Sequence, residues 1–225
     1  MARSSMARRT ATGRAKPEPA AGGSERSVKP ARATTTRRVQ VERKTRETDI
    51  VLRLDLDGEG RARIRTGIGF LDHMLTSLAT HARFDLDVRC KGDLQVDAHH
   101  SVEDVGIALG QALKQALGDK RGVVRFGHAY CPLDEAITRA VVDLSGRPWL
   151  SFGAQFRAQR VGDLPTELVE DFFRAFSDHA RVCLHLDMIR GRNAHHIIEA
   201  LFKATARALA MAVARDPRRS GVPSP

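Results

Sequence analysis

"AHHSVEDVGIALGQAL" at residues 98–113 and "AHHIIEALFKATARAL" at residues 194–209 are two versions of one segment, 96 positions apart. Each opens on two adjacent histidines, places a glutamate three residues after the second, and continues with apolar residues at helical spacing. Upstream, "LATHARFDLDV" (78–88) and "FSDHARVCLHL" (176–186) align without a gap at an offset of 98, pairing His81 with His179. The drop from 98 to 96 is a two-residue deletion in the second intervening loop. Two amphipathic helices resemble each other by chance. A repeated AHHxxE, with a HAR upstream at almost the same distance, does not. The chain therefore reads as an internal duplication.

The order of elements agrees. "RRVQVERKT" and "DIVLRLDLD" alternate apolar and polar residues as strands do, and "DGEG" follows as a turn. Residues 69–82 carry Phe70, Leu71, Met74, Leu75 and Leu78 at helical spacing. "FDLDVRC" alternates again, and "SVEDVGIALGQALKQAL" reads as a helix ending at Gly118. The second half repeats this with "GHAYCPLDEA" and "ITRAVVDLSG" as strands, "PTELVEDFFRAFSDHA" as a helix with Thr166 as its cap, "VCLHLDMI" as a strand, and a long helix before Pro217. The expected class is α+β, with two tandem similar halves, each a small mostly antiparallel sheet with two helices. The expected boundaries are a tail over 1–38, a first repeat over 39–120 and a second over 121–225.

The net charge of +10 points to a nucleic-acid binder until it is located. Residues 1–38 hold ten Lys/Arg and two Glu, and so carry +8; the remaining 187 residues carry +2. The basic segment has no aromatic residue and little apolar surface to offset its ordering entropy, so it reads as a solvated, disordered tail. No nucleic-acid role is expected of the folded part. No apolar run approaches the roughly 18 residues of a membrane span, and the tail lacks a secretory core, so a cytoplasmic protein without membrane contact is expected. Cys90, Cys131 and Cys183 have no CxxC spacing and cannot all pair, which fits reduced thiols.

A lone histidine on an apolar helix face is usually a packed core residue, but two copies of HHxxE point to metal. Neutral imidazoles and carboxylates suit borderline divalent cations such as Mn²⁺, Fe²⁺ or Zn²⁺. His99 and Glu103 are spaced i,i+4 and His100 and Glu103 i,i+3, so either pair can share a face, as can His195, His196 and Glu199. One motif supplies two ligands to one ion and leaves one histidine over. If the repeats pack face to face, each left-over histidine completes the other repeat's site. The repeat also marks a further ligand: His73 lies on the helix preceding His99, and the offset of 98 carries it to Asp171.

These residues resemble a known family. "GIGFLDHMLTSLATHARFDLDVRCKGDLQVDAHHSVEDVGIALGQAL", "RFGHAYCPLDEA", "DLSGRPWL" and "NAHHIIEALFKATARAL" are similar to imidazoleglycerol-phosphate dehydratases of histidine biosynthesis, over about residues 39–224. The resemblance implies helices sandwiched between two four-stranded sheets. It implies dehydration of D-erythro-1-(imidazol-4-yl)glycerol 3-phosphate, a small phosphate ester, to 3-(imidazol-4-yl)-2-oxopropyl phosphate. It also implies two Mn²⁺ per active site and a homo-oligomer of 24 subunits with active sites between subunits. Carried over by motif position, the metal ligands are His73, His99, His100, Glu103, His195, His196 and Glu199. Asp171 stands where the family often has histidine.

The resemblance further implies Glu47, in "TRETDI", as the carboxylate that moves the carbon-bound proton, and Asp134, in "PLDEA", as an acid near the imidazole ring. Lys203 lies seven residues past His196, two turns along the same face, where it can bind substrate or hydroxyl. His73 counts among the catalytic residues and His81 among those that bind substrate. Arg125 and Arg147 match the family's phosphate arginines, a role that suits a bidentate guanidinium. Ser224 matches a phosphate-binding serine, but the lysine that usually follows it is missing, so a weaker phosphate clamp and a raised Michaelis constant are expected. A di-metal hydrolase and a non-enzymatic metal-binding assembly protein are the competing readings. "FLDHML" and "RFGHAYCPLDEA" favour the dehydratase over the first. Glu47, Asp134 and Lys203 argue against the second.

Overall fold

A computed structural model describes residues 36–223. The first half runs β1 (Arg38–Lys44), β2 (Thr48–Asp55), β3 (Ala62–Arg65), α1 (Gly69–Ala82), β4 (Asp85–Gly92) and α2 (His99–Leu117). The second runs β5 (Phe126–Leu133), β6 (Ala136–Asp143), β7 (Trp149–Gly153), a hairpin of β8 (Arg160–Val161) and β9 (Leu164–Pro165), α3 (Leu168–Ala180), β10 (Cys183–Arg190) and α4 (Ala194–Val213).

The two halves have one topology. Their sheets are ordered β1-β2-β4-β3 and β5-β6-β10-β7. Every pairing is antiparallel except β3–β4 and β7–β10, which are parallel. Parallel neighbours need a crossover, and α1 and α3 supply it. The registers match as well: Arg38 faces Asp55, and Phe126 faces Asp143, 88 positions on in each case. β3 and β7 were not expected. β3 is four residues long, too short for a clear alternation, and each of the two is an edge strand held by pairing to one neighbour.

Each sheet turns one face inward. Ile50, Leu52 and Leu54 of β2 and Leu86 and Val88 of β4 are buried under α1 and α2; Ala140 and Val142 of β6 and Leu184 and Leu186 of β10 are buried under α3 and α4. The helices form the filling, with α2 against α3 and α1 against α4. At the centre Phe172, Phe173 and Phe202 meet with ring centroids 4.8–5.3 Å apart, in tilted and edge-on arrangements that favour aromatic pairs.

The α2–α3 contact depends on two glycines. A Cβ on Gly106 would lie 2.7 Å from the Phe172 carbonyl oxygen; one on Gly110 would lie 2.5 Å from the Phe176 oxygen and 2.8 Å from the Ala180 nitrogen. These neighbours are backbone and cannot swing aside. Gly110→Leu should therefore cost about 3 kcal/mol, the upper end for overpacking, seen as a lowered urea midpoint.

The repeated HAR has a structural meaning. Arg83 and Arg181, at equivalent positions, cap α1 and α3 in the left-handed region, with φ of 59° and 57°. Other helix ends differ from expectation. Thr166 does not cap α3; its hydroxyl donates to the Ala158 carbonyl at 2.8 Å, and the N-cap position is Glu167. α4 is capped by Asn193, whose side chain accepts from the His195 amide at 2.9 Å.

The tail read over 1–38 reaches into this arrangement. β1 starts at Arg38, and Arg37 is buried, donating to both carboxylate oxygens of Asp57 and to the Val213 carbonyl at 2.5 Å. The rest of that segment, through residue 35, lies outside the described residues. Arg37→Ala should cost about 1.5–3 kcal/mol, because it strips a charged donor from Asp57 and from the end of α4. Chemical denaturation of the full chain measures it. No helix among the described residues is long and apolar enough to cross a membrane. Cys90, Cys131 and Cys183 are free thiols, and burial pushes Cys90 up to about 11.

Candidate metal centre

α1 and α4 bring three side chains together. His73 stands in the second turn of α1, and His195 and Glu199 stand one turn apart on α4. Nothing near the start of α1 caps it from its own sequence, since the N-cap position is Ile68. Asp163, from the hairpin of the second half, does so instead, accepting from Gly69 N at 2.6 Å and Phe70 N at 3.1 Å. One half of the duplication thus anchors the helix that carries His73 in the other.

The Oε2 atom of Glu199 lies 3.3 Å from His73 Nε2 and 3.1 Å from His195 Nε2. Lys203, the next turn along α4, donates to Oε1 at 2.7 Å. Burial works against ionising Glu199, but Lys203 and the two imidazoles outweigh it and hold the carboxyl down at about 2. The set is therefore an ionised carboxylate between two imidazole nitrogens. Ligands about 2.1 Å from one cation sit roughly 3 Å apart when they are cis neighbours. The observed separations fit that spacing, so these residues suit a divalent cation. Among the described residues, His73, His195 and Glu199 form a group of three whose ligand atoms lie within 4.8 Å of one another.

The pseudo-equivalent set lies on α2 and α3. His99 Nε2 is 3.9 Å from Glu103 Oε2, and His99 Nδ1 is 3.9 Å from Asp171 Oδ2. Asp171 stands where the offset of 98 carries His73. The set is wider than the first: aspartate reaches less far than histidine, and Glu103 is 48% exposed where Glu199 is 13% exposed.

His100 and His196 do not enter these sets. The structure does not place either in the other repeat's triad, as face-to-face packing within one chain would require. His100 Nδ1 meets Asp93 at 3.0 and 3.2 Å, and His196 Nδ1 meets Glu135 Oε2 at 2.7 Å. These carboxylates raise the pKa of both imidazoles. Adjacent residues on a helix point about 100° apart, so each pair splits: His99 and His195 face Glu103 and Glu199 of their own helices, and His100 and His196 turn to Asp93 and Glu135.

Glu47 sits in the β1–β2 turn, its amide held by the Thr45 hydroxyl at 3.1 Å, and its charge acts on His100. Asp134 sits in the β5–β6 turn with a φ of 46°, which aspartate tolerates, and its Oδ2 is 3.6 Å from His196 Nε2. His81 lies two turns past His73 on α1. Burial, then the charges of Lys203 and Arg207, lower its pKa and favour the neutral ring.

Arg125 and Arg147 line one cleft of about 180 Å³ with Asp119, Lys120, Val222 and Pro223. Arg125 is anchored by Asp143 at 2.7 and 3.2 Å. Lys120 donates to the Leu144 carbonyl at 2.8 Å, and burial lowers its pKa. None of the histidine or carboxylate groups above lines this cleft. Ser224 lies outside the described residues.

Sequence reasoning missed Glu135, Asp93, Asp163 and Lys120. For Glu135 a signal existed. The strands repeat at an offset of 88, which places Glu135 at the position of Glu47; only the helix offsets of 96 and 98 were read.

The geometry can be set beside known proteins. The family model of imidazoleglycerol-phosphate dehydratase matches residues 66–209. The imidazoleglycerol-phosphate dehydratase of Gluconacetobacter diazotrophicus is 59% identical over 191 residues, covering 84% of this chain and 96% of that one. That of Microcystis aeruginosa is 57% identical over 186 residues, covering 83% and 89%. The crystal structure of the Staphylococcus aureus imidazoleglycerol-phosphate dehydratase superposes with a TM-score of 0.72 at 44% identity, covering 79% of this chain and 98% of that one. That of IGPD from Pyrococcus furiosus in complex with (S)-C348 gives 0.70 at 33% identity, covering 79% and 95%.

Proposed function

The chain belongs to the imidazoleglycerol-phosphate dehydratase family, hydro-lyases of histidine biosynthesis, and from that premise we propose a metal-dependent dehydration at sites shared between copies. The substrate is D-erythro-1-(imidazol-4-yl)glycerol 3-phosphate and the product 3-(imidazol-4-yl)-2-oxopropyl phosphate. The observation that carries the reading is the convergence of His73, His195 and Glu199 on one point, with a looser pseudo-symmetric set at His99, Glu103 and Asp171.

His73, His195 and Glu199 would hold one Mn²⁺ and His99, Glu103 and Asp171 the other. His100 and His196 would reach the ions of neighbouring copies, in a homo-oligomer of the 24-subunit kind. A bound divalent cation supplies Lewis-acid polarisation of the imidazole and a template for the diol.

The chain's own groups do the rest. Dehydration removes a carbon-bound proton and a neighbouring hydroxyl, so a base must stand within hydrogen-bond reach of that carbon. Glu47 is a half-buried carboxylate beside His100 and serves as that base. Lys203, drawn to Glu199, presents its remaining N–H donors to the departing hydroxyl. Asp134, beside His196 Nε2, accepts from the substrate's ring, and neutral His81 lines the substrate side of α1. Arg147 and the anchored Arg125, joined by Lys120, hold the phosphate at the cleft and fix the far end of the substrate. Glu47 and Glu199 lie by different histidine sets of one chain, so a complete site draws them from two copies.

The test is turnover of the full chain with Mn²⁺, after chelation, and after Mn²⁺ is restored. Activity should vanish and return. Equal turnover in the chelated protein would refute metal dependence, and no turnover in the Mn²⁺-loaded protein would refute the dehydratase reading.

A further inference from the structure

We propose that Glu135 is a positioning residue that fixes His196 with its proton on Nδ1 and its Nε2 lone pair facing outward, and that Asp93 does the same for His100. The proposal rests on the metal reading above and extends it to two residues outside the ligand set.

Glu135 has both oxygens committed. Oε1 accepts from the backbone N–H groups of Arg192 at 3.0 Å and Asn193 at 2.7 Å, and Oε2 takes His196 Nδ1 at 2.7 Å. The two backbone donors lie just before α4, so they fix the carboxylate relative to the helix that carries His196. Three donors converge on the two oxygens, the arrangement of a carboxylate that accepts and does not donate. An acceptor-only group can bind Nδ1 only when Nδ1 carries the proton. That leaves Nε2 as the donor of a lone pair. The nearest charged neighbour of Nε2 is the exposed Asp134, whose Oδ2 lies 3.6 Å away, beyond hydrogen-bond distance.

The first half reaches the same end by another route. The counterpart of Glu135 is Glu47, but His100 Nδ1 is held by Asp93. Asp93 lies on the β4–α2 loop, which is two residues longer than its counterpart in the second half. Its place there is taken by Gly191, which has no carboxylate. Two unrelated carboxylates thus impose one ring orientation on two equivalent histidines. A structural accident would not recur from different loops. The exchange also leaves Glu47 free of the task that consumes Glu135.

Glu135→Gln tests this. The amide oxygen can serve the two backbone donors, which leaves the NH₂ facing Nδ1 and favours the opposite tautomer. Calorimetric titration of the full chain with Mn²⁺ should show about 10–100-fold weaker binding, the usual cost of losing an outer partner of a ligating histidine. The melting temperature of the metal-free protein should be unchanged, and Glu135→Asp, which keeps both oxygens, should recover part of the affinity. In a double-mutant cycle, Glu135→Gln should add nothing once His196 is replaced by alanine. Wild-type affinity in Glu135→Gln, or an undiminished penalty in the His196→Ala background, would overturn the proposal. A wild type that takes up no Mn²⁺ would refute the metal reading itself, and this proposal with it.

Discussion

Glu47→Gln should lower kcat by about 10²–10⁴-fold, the worth of a placed general base, and leave Mn²⁺ uptake as it was. The reasoning starts from the duplication. The β1–β2 and β5–β6 turns each carry a glutamate at one position, Glu47 and Glu135. Glu135 is tied to His196 and to two backbone amides. Glu47 is spared by Asp93, which holds His100 instead. Of the two, only Glu47 is at liberty to take a proton. Glutamine keeps its size and loses only the basic oxygen. Steady-state kinetics beside metal analysis separate the two effects; an undiminished kcat would remove Glu47 from the chemistry.

Glu199→Gln strikes the proposed metal centre itself. It removes the one negative charge between His73, His195 and Lys203. Mn²⁺ affinity should fall by more than the roughly 100-fold that an outer partner is worth, and kcat/KM with it. A second signature is acid stability. The folded-state pKa of Glu199 is depressed from 4.5 to about 2, so its contribution is full above the unfolded value and is lost as pH falls through that window. The metal-free wild type should therefore lose stability between about pH 4.5 and pH 2, and Glu199→Gln should lose less. Parallel acid denaturation curves for the two proteins would contradict the role given to Glu199.

The helices were legible because the chain states them twice. α1 spans the 69–82 read from spacing, and Asp171 stands by His99 where the offset of 98 places it. The edge strands β3 and β7 were not legible, because pairing to β4 and β10 creates them and short segments carry little alternation. Asp163 was hidden for a similar reason: nothing local says that an aspartate 94 residues away caps α1. Which histidine of each pair faces inward was also closed to the sequence. The partners that tell the two apart, Asp93 on His100 and Glu135 on His196, lie in loops the helix motif does not include.

In the proposed assembly no copy of the chain holds a complete site. The charge of Glu47 acts on His100, Glu199 stands with His73 and His195, and among the described residues no hydrogen bond or ion pair joins the two sets. The most direct measurement mixes metal-free Glu47→Gln and Glu199→Gln proteins, reassembles them with Mn²⁺, and assays dehydration. Turnover in the mixture should be well above either parent, from sites that draw Glu47 from one copy and Glu199 from another. A mixture as inactive as its parents, after mixed assembly is verified, would contradict it.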